Sequence, residues 1–217
     1  MQKPSLGTLA ALAAAASALF IYLAGEVLRG QTLWFDTFVR EGIHDWASPR
    51  LTWVMRSVTW LGSEAVLVPL VALLVWRLVA AGRRHAAILL LAACAGGEAL
   101  DQVLKLVFRR ARPEAFFDYP APIGYSFPSG HSVASCCFYG VAAAILTRRI
   151  RSRAGKAVVW AAAALLPLAI GTSRIYLGVH YPSDVLAGYA AAVVWVCAVR
   201  VADSAWVRRR PAGKGYL

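Results

Sequence analysis

The stretch from Lys105 to Pro113, KLVFRRARP, places two separated cations at the end of an apolar run. Lys105 and Arg112 lie seven positions apart, and both side chains are charged at neutral pH. Arginine offers a planar fork of N–H donors and lysine a compact charge, so the pair could hold a dianionic phosphate. Basic residues that flank a membrane span also serve as anchors, and this motif alone does not separate the two uses.

A second stretch, PSGH from Pro128 to His131, directly precedes another apolar run. Ser129 supplies a hydroxyl, and Gly130 lets the backbone approach a ligand closely. Free N–H groups at the start of a helix bind anions, and a histidine there can transfer a proton. The alternative interpretation is an ordinary helix cap with a histidine at the water interface.

A third stretch, SRIYLGVHYPSD, combines a cation, a histidine and a carboxylate. Arg174 ends one apolar run, His180 follows six positions later, and Asp184 lies four positions beyond His180. Pro182 can occupy the first turn of the last helix, so Asp184 could accept the Nδ1 proton of His180. Nε2 would then be free to attack an electrophile. The alternative is an interfacial ion pair that caps a span.

The elements that must position these residues are membrane spans. Hydrophobic residues make up 59% of the 217, and the mean hydropathy of +0.58 is too high for an ordinary soluble protein. A span needs about 20 apolar residues, and candidates lie near 6–27, 62–81, 85–105, 131–147, 157–173 and 182–201. We therefore predict an all-α polytopic membrane protein with six transmembrane helices in one domain, 1–217. The first apolar run is longer than the core of a usual signal peptide, so we expect it to stay uncleaved.

The net charge of +12 at first suggests a nucleic-acid partner. The basic residues instead cluster in short loops: Arg77, Arg83 and Arg84; Arg148, Arg149, Arg151, Arg153 and Lys156; Arg200, Arg208, Arg209, Arg210 and Lys214. This pattern is typical of cytoplasmic loops, where it sets topology and contacts anionic lipids. We expect no nucleic acid, both termini in the cytoplasm, and segments 28–61, 106–130 and 174–181 outside. All three motifs then share one face.

Segment 28–61 is the longest predicted external stretch before the third span. In FDTFVREGIHDW, the apolar residues Phe35, Phe38, Val39 and Ile43 recur at helical spacing. We interpret this stretch as an interfacial amphipathic helix, with a lid that grips substrate as the alternative. Segment 106–130 is rich in proline and predicts an irregular loop.

Three acidic residues near the motifs have open roles. Asp101 precedes Lys105 by four positions, so an ion pair between them is plausible. Ordinary packing at the helix end explains Glu98 and Asp101 equally well. Glu64, near the start of the second span, either contacts substrate or lies at the interface.

The three stretches together resemble the type 2 phosphatidic acid phosphatase (PAP2) superfamily. Its pattern is K-x6-RP, then PSGH, then SR-x5-H-x3-D, and every spacing fits this chain. The matching positions are Lys105, Arg112 and Pro113; Pro128, Ser129, Gly130 and His131; Ser173, Arg174, His180 and Asp184. The motifs cover residues 105–184, and the six-span layout covers the whole chain.

The resemblance implies a six-helix membrane phosphatase with its site at the outer surface. It implies that His180 attacks phosphorus and becomes a phosphohistidine, while Asp184 holds its ring. His131 would protonate the leaving oxygen and then activate water. The non-bridging oxygens would be bound by Lys105, Arg112, Arg174, Ser129 and the Gly130 N–H. We expect no metal and no other cofactor, because three cations neutralise the phosphate and no carboxylate cluster with metal-ligand spacing lies near the motifs.

The resulting hypothesis is a lipid phosphate phosphatase in a bacterial inner membrane. Candidate substrates are undecaprenyl pyrophosphate, phosphatidylglycerol phosphate and phosphatidic acid. A lipid A phosphatase or a lipid phosphotransferase of the same superfamily is the alternative, and a non-catalytic transporter is the alternative outside it. Haloperoxidases that use vanadate share the motifs, but six spans argue against that largely soluble class. The motifs bind only phosphate, so segments 28–61 and 114–127 would select the lipid, and no oligomeric state is predicted.

Overall fold

The computed structural model describes residues 5–120 and 122–208, and these residues form eight helices and no strand. The helices are α1 (Leu6–Leu28), α2 (Leu33–His44), α3 (Pro49–Trp60), α4 (Glu64–Ala80), α5 (Arg84–Phe108), α6 (Gly130–Leu146), α7 (Arg153–Tyr176) and α8 (Pro182–Arg208). The prediction of an all-α protein is therefore confirmed.

Four helices of the described ranges, α1, α5, α7 and α8, are long and apolar enough to cross a membrane. Helices α3 and α4 pass the same test as a pair, with a 40° bend at the break between them. Helix α6 is apolar but has only 17 residues. Each predicted span has a matching helix, while the count of six transmembrane helices stays a prediction.

The segment between the first and second spans contains two helices rather than one. The stretch predicted to be amphipathic is α2, whereas α3 was not predicted. A new helix begins at Pro49 because proline fits the first turn, and the Ser48 hydroxyl caps it by accepting the N–H of Leu51 at 3.3 Å. Helix α3 approaches α7, and its Thr52 hydroxyl lies 2.7 Å from the hydroxyl of Tyr176.

The irregular loop predicted for 106–130 is confirmed between the end of α5 and the start of α6. Arg109 has a φ of 46°, in the left-handed region, and ends α5 there. Backbone hydrogen bonds fold the loop back over the bundle: Ser126 N–H donates to the Arg110 carbonyl at 2.9 Å, and Phe116 N–H donates to the Leu177 carbonyl at 3.0 Å. The loop therefore lies against the turn between α7 and α8.

Helix α8 packs along α1, α5 and α6, and α6 also packs against α5 and α7. Small residues allow these close approaches, as in other membrane bundles. At Gly171 of α7, an added Cβ would overlap the hydroxyl of Tyr189 on α8. The packing brings the loop after α5, the turn between α7 and α8, and helices α2 and α3 to the same end of the bundle.

The predicted basic clusters lie partly at the opposite end. Arg148, Lys156 and Arg200 line one cleft there together with Ala86 near the start of α5. The division of loops between two membrane faces stays a prediction. The cytoplasmic location of both termini stays a prediction. Residues 1–4 and 209–217 lie outside the described residues, and they include Arg209, Arg210 and Lys214.

Candidate active site

A pocket of about 340 Å³ opens at the end of the bundle where the three motifs meet. Six of the eight predicted site residues line it: Lys105, Arg112, Gly130, His131, Arg174 and His180. The other two, Ser129 and Asp184, are fully buried directly behind its wall. The chain thus brings together groups that are up to 79 positions apart, since the first and last are Lys105 and Asp184.

His180 lies in the turn between α7 and α8, and its side chain is nearly fully buried. Because α8 begins at Pro182, Asp184 falls in the first turn and faces back toward His180. The distance from His180 Nδ1 to Asp184 Oδ2 is 3.3 Å, and the same oxygen accepts the backbone N–H of Tyr181 at 2.9 Å. The predicted pairing of Asp184 with Nδ1 is present.

The other ring nitrogen of His180 faces Arg112. Arg112 Nη1 lies 3.0 Å from His180 Nε2. A guanidinium donates hydrogen bonds and accepts none, so this contact requires an unprotonated Nε2, with the proton on Nδ1 toward Asp184. The geometry therefore selects the tautomer in which Nε2 is unprotonated and its lone pair, which accepts the Arg112 hydrogen bond, lies at the pocket.

The charge state of His180 follows from its surroundings. Burial lowers the pKa of His180 to about 4, Asp184 opposes this shift, and the cations of Arg112 and Arg174 add to it. The imidazole is therefore neutral near pH 7, which is the form that can act as a nucleophile.

Arg112 is held in place by carbonyl oxygens. Its Nε donates to the carbonyl of Gly124 at 3.0 Å, and Nη1 also donates to the carbonyl of Val179 at 3.1 Å. Both acceptors lie beside the pocket, on the loop and on the turn that carries His180. Burial lowers the pKa of Arg112, with Asp184 and Asp101 opposing, yet the guanidinium stays charged at neutral pH.

Arg174 and Lys105 supply the other two cations. Arg174 is only 2% exposed; its Nη1 donates to Thr59 Oγ1 at 2.8 Å, and its buried Nε has no hydrogen-bond partner among the described residues. Lys105 Nζ lies 2.5 Å from Asp101 Oδ2, which confirms the predicted pair between these residues. An unsatisfied buried donor is costly unless a ligand completes it, so Arg174 Nε is suited to an anion in the pocket.

The PSGH segment forms the start of α6. The backbone N–H of Ser129 donates to the Asp184 carbonyl at 3.0 Å, and the buried Ser129 hydroxyl has no partner within residues 5–120 and 122–208. A Cβ at Gly130 would lie 2.9 Å from both Asp101 Oδ2 and Lys105 Nζ. A larger residue here would therefore displace the ion pair.

His131 stands on the first turn of α6 and lines the same pocket as His180. Its ring packs against the turn between α3 and α4, because a Cβ at Gly62 would lie 3.3 Å from His131 Cδ2. No sequence motif marks Gly62, because its contact is with a residue 69 positions later.

Glu64, Glu98 and Gln102 also line the pocket. Glu98 Oε1 accepts a hydrogen bond from Gln102 Nε2 at 2.7 Å. These groups add negative and neutral polar surface beside the cations. The structure places Glu64 and Glu98 at the pocket without assigning either of them a chemical role.

Arg110 and Asp36 were missed entirely by the sequence analysis. Arg110 Nη1 lies 2.7 Å from Asp184 Oδ1, and Arg110 Nη2 lies 2.7 Å from Asp36 Oδ2. Position 110 is one of the six unspecified positions in the first motif, and Asp36 lies in a helix predicted to be interfacial. No spacing rule connects residues 74 positions apart, so only the fold reveals this contact.

The arrangement can perform one well-defined kind of chemistry. A neutral imidazole with an unprotonated Nε2 faces a pocket with three cations and a second histidine, and buried donors around it have no partner among the described residues. Such a site binds a phosphoryl group and can take it onto nitrogen. The fold and the site together define a helical membrane protein with a phosphate site built around histidine.

Comparison with known proteins agrees with this class. A family model described as the PAP2 superfamily matches residues 86–208, which is more than half of the chain. The chain therefore belongs to the PAP2 superfamily.

Two curated relatives are named for phosphatase activities. The chain is 33% identical over 143 residues to phosphatidylglycerophosphatase B of Bacillus subtilis, covering 65% of this chain and 70% of the relative. It is 31% identical over 133 residues to undecaprenyl-diphosphatase of Sulfolobus acidocaldarius, covering 59% of each chain. These names describe the relatives and show that the superfamily members similar to this chain include phosphatases.

A solved structure extends the similarity to nearly the whole fold. The crystal structure of a transmembrane PAP2-type phosphatidylglycerolphosphate phosphatase from Bacillus subtilis matches with a TM-score of 0.82 and 28% identity. The match covers 91% of this chain and 98% of that chain. The structural match therefore extends beyond the family-model range of residues 86–208, and the chain is a membrane protein of a type found in bacteria.

Proposed function

We propose that the protein hydrolyses a phosphate or diphosphate monoester of a membrane lipid through a phosphohistidine at His180. The observation that carries the proposal is the unprotonated Nε2 of His180, which faces a pocket of converging cations and lies 3.0 Å from Arg112. Asp184 holds the opposite nitrogen at 3.3 Å.

In the first step, His180 Nε2 attacks phosphorus, and the P–O bond to the lipid breaks. The imidazole becomes positively charged because its Nδ1 keeps its proton, and Asp184 stabilises that charge. His131 donates a proton to the leaving oxygen. The substrate supports this role, since a phosphate dianion entering the pocket favours the protonated form of His131.

In the second step, the neutral His131 removes a proton from water. The resulting hydroxide attacks phosphorus, the P–N bond breaks, and inorganic phosphate and the starting enzyme form. Lys105, Arg112 and Arg174 stabilise the charge on the equatorial oxygens in both steps, and Ser129 Oγ and the Gly130 N–H donate to them.

The proposed reaction uses no metal ion. Three fixed cations supply the neutralisation that a divalent metal gives in other phosphoryl-transfer enzymes. We therefore expect full activity in excess EDTA, and a requirement for added metal would contradict this part of the proposal.

The rim of the pocket supports a lipid as the substrate. Ile123 is fully exposed there, and Leu106 at the end of α5 is 62% exposed. An apolar rim beside a cationic pocket suits a phosphate attached to an apolar tail that remains in the bilayer. Undecaprenyl pyrophosphate, phosphatidylglycerol phosphate and phosphatidic acid are the proposed candidates.

We propose a bacterial inner membrane location with the pocket outside and both termini inside. Basic residues at the opposite end of the bundle, among them Arg148 and Lys156, support this orientation. Labelling of single introduced cysteines by an impermeant reagent in intact cells tests it. Reaction at position 123 and protection at position 149 are expected, and the reverse pattern would overturn the orientation.

The experiment that tests the function measures phosphate release by purified protein in detergent with EDTA. The panel contains undecaprenyl pyrophosphate, phosphatidylglycerol phosphate, phosphatidic acid and lipid A, each with wild type and His180→Ala. Release by wild type alone supports the proposal, and the ranking of rates identifies the preferred lipid.

Two further results would redirect the proposal. Transfer of labelled phosphate to an added lipid alcohol faster than to water would identify a phosphotransferase. No release from any lipid, with no labelled protein after substrate addition, would contradict catalysis and favour a transporter.

A further inference from the structure

Helix α2 buries an acidic residue more completely than any of its apolar ones. Asp36 is fully buried and is the residue of α2 most withdrawn from solvent, whereas Trp34 and Phe38 on the same helix are 73% and 70% exposed. A helix that merely lies at the membrane interface directs its charges to water. A buried carboxylate needs charged or hydrogen-bonding partners, which indicates a specific attachment of α2 to the bundle.

Arg110 is the main partner of Asp36, and it joins Asp36 to Asp184. Each of its two terminal nitrogens binds one of the carboxylates. Nη2 lies 2.7 Å from Asp36 Oδ2, and Nη1 lies 2.7 Å from Asp184 Oδ1. The guanidinium also stacks over the ring of Tyr181 at 4.0 Å. Arg110 therefore occupies a fixed position with both ends engaged.

Asp36 makes a second connection to the same region. Its Oδ1 accepts the backbone N–H of Ser183 at 2.9 Å, and its Oδ2 accepts the Ser183 hydroxyl at 2.7 Å. Ser183 lies in the first turn of α8, where N–H groups have no partner within the helix. A residue from α2 thus caps the helix whose first turn carries Asp184.

These contacts fix the orientation of the Asp184 carboxylate. Arg110 holds Oδ1, and this leaves Oδ2 facing Tyr181 N–H and His180 Nδ1. Without Arg110 the carboxylate could rotate, and the hydrogen bond that keeps the His180 proton on Nδ1 would weaken. Neither Arg110 nor Asp36 lines the phosphate pocket, in contrast to Arg112.

We propose that Asp36 and Arg110 are positioning residues for the reaction, and that they act by holding Asp184 in the orientation that aligns His180. The proposal rests on the proposed function of His180 as nucleophile. It makes α2 part of the catalytic apparatus, through a contact that crosses from the interfacial segment to the α7–α8 turn.

Loss of the Arg110 charge should shift the pH dependence of kcat/KM in one direction. Burial alone would lower the pKa of Arg110, but Asp184 and Asp36 raise it above its ordinary value, so the residue is a permanent cation. Removing this cation takes a positive charge away from the carboxylate that faces His180, so His180 binds a proton more tightly. The acid limb of kcat/KM must then move to higher pH, because protonation of His180 inactivates the nucleophile.

Other charged and titratable groups around the pair remain in place in such a variant. They are Asp36 on α2, Glu64 on α4, Glu98, Asp101 and Lys105 on α5, Arg112 on the loop, His131 on α6, Arg174 on α7 and Tyr181 on the turn. Asp36, left without its cation, adds to the shift in Arg110→Gln. The double variant Asp36→Asn with Arg110→Gln removes that contribution.

The test compares Asp36→Asn, Arg110→Gln and the double variant in full-length protein in detergent. We expect kcat to fall about 10-fold in Asp36→Asn and about 100-fold in Arg110→Gln, with KM changed less than about 3-fold. The double variant should lose no more than Arg110→Gln alone, because both residues act through Asp184. The acid limb should move to higher pH in Arg110→Gln.

Matched controls come from neighbouring residues of the same type. Glu41→Gln removes an exposed acidic group from the same helix, and Arg109→Gln removes the adjacent exposed arginine. Both should keep wild-type kcat and the wild-type pH profile. If Arg110→Gln fails to fold, Arg110→Lys takes its place, since lysine keeps the charge but cannot bridge two carboxylates with a fixed fork.

A second measurement separates this proposal from the proposed function. Orthovanadate is an analogue of phosphate that a nucleophilic histidine can coordinate, so it should raise the melting temperature of wild type and not of His180→Ala. The rise should be smaller in Asp36→Asn and in Arg110→Gln. This readout applies even if no lipid on the panel is hydrolysed.

Two results would overturn the proposal. One is a folded Asp36→Asn variant and a folded Arg110→Gln or Arg110→Lys variant with normal kcat and a normal vanadate response. The other is loss of activity only in proportion to loss of folded protein, with an unmoved pH limb, which would leave Asp36 and Arg110 with a structural role in docking α2.

Discussion

The two ends of the bundle contain the same kinds of cation in different settings. At one end, Arg112 and Arg174 are held by carbonyl and hydroxyl oxygens around a pocket of about 340 Å³. At the other end, Arg148 is exposed and Lys156 half-buried beside a mostly apolar cleft of about 360 Å³. The pocket and the cleft therefore have similar volumes and similar basic residues, but the groups around those residues differ.

The two ends differ in whether their polar groups point to one place and in whether their hydrogen-bond donors are already used. The pocket contains a neutral histidine, and the buried donors around it at Arg174 Nε and Ser129 Oγ have no partner in the part of the chain that the structure describes. At the opposite end, Arg200 is already paired with Asp203 at 3.3 Å. Positive charge is present at both ends of the bundle, so it does not distinguish the active site from the cleft. The active site is distinguished by fixed donors that point to one place beside a nucleophile.

Removal of the nucleophile should give the largest effect and the sharpest contrast between the two ends. His180→Ala removes the only atom proposed to bond to phosphorus, so we expect kcat to fall by about 10⁴-fold or more. Steady-state phosphate release measures this loss. The matched change at the other end, Arg148→Ala, should leave kcat within about 2-fold of wild type, and a similar loss in both variants would erase the distinction.

Loss of one pocket cation should have the next largest effect. Arg112→Gln removes a donor that faces the transferring phosphoryl group, and we expect kcat to fall by about 10²- to 10³-fold. Arg112→Lys should recover part of this loss, because it restores charge without the planar fork. Arg148→Gln is the control, and single-turnover phosphate release should show no change in it.

Much of this contrast could be predicted from sequence because the motifs are local. The four-residue spacing from His180 to Asp184 places both on adjoining turns at a helix start, and the pair is present at 3.3 Å. The same logic predicted the pair of Asp101 and Lys105, which also lies within one helix. Apolar runs likewise predicted a helix for each span.

The parts that could not be predicted depend on contacts between distant segments. Asp36 reaches Arg110 across 74 positions, and no periodicity in α2 marks a carboxylate for burial. Helix α3 was missed because its polar residues interrupt the apolar pattern, while its order comes from packing against α7. Residues such as Asp36 and Arg110, which lie outside the specified motif positions and contact a motif residue, can therefore be identified only from the folded structure.

Two glycines of α6 provide a smaller test of the same comparison. A Cβ at Gly130 would lie 2.9 Å from Lys105 Nζ and Asp101 Oδ2, whereas a Cβ at Gly140, beside the apolar cleft, would meet nothing within 4 Å. Gly130→Ala should displace Lys105 and lower kcat/KM by about 10-fold. Gly140→Ala should retain kcat/KM, and equal values for the two variants would show that the contact at Gly130 has no catalytic consequence.

The smallest expected effect is that of mild acid on the wild-type site. Burial lowers the pKa of His180 to about 4, so the folded protein keeps this ring neutral as pH falls from 7 to 5, whereas an exposed histidine would become protonated. The nucleophile is therefore lost only as pH approaches 4. Phosphate release also depends on His131, because that ring must be protonated to donate to the leaving oxygen, so the nitrogen NMR shifts of the His180 ring provide the check. They should remain those of the neutral ring between pH 7 and pH 5. Protonation of His180 near pH 6.5 would mean that this ring is solvated in the working enzyme, and the contrast between a buried nucleophile and an exposed basic cleft would fail at its centre.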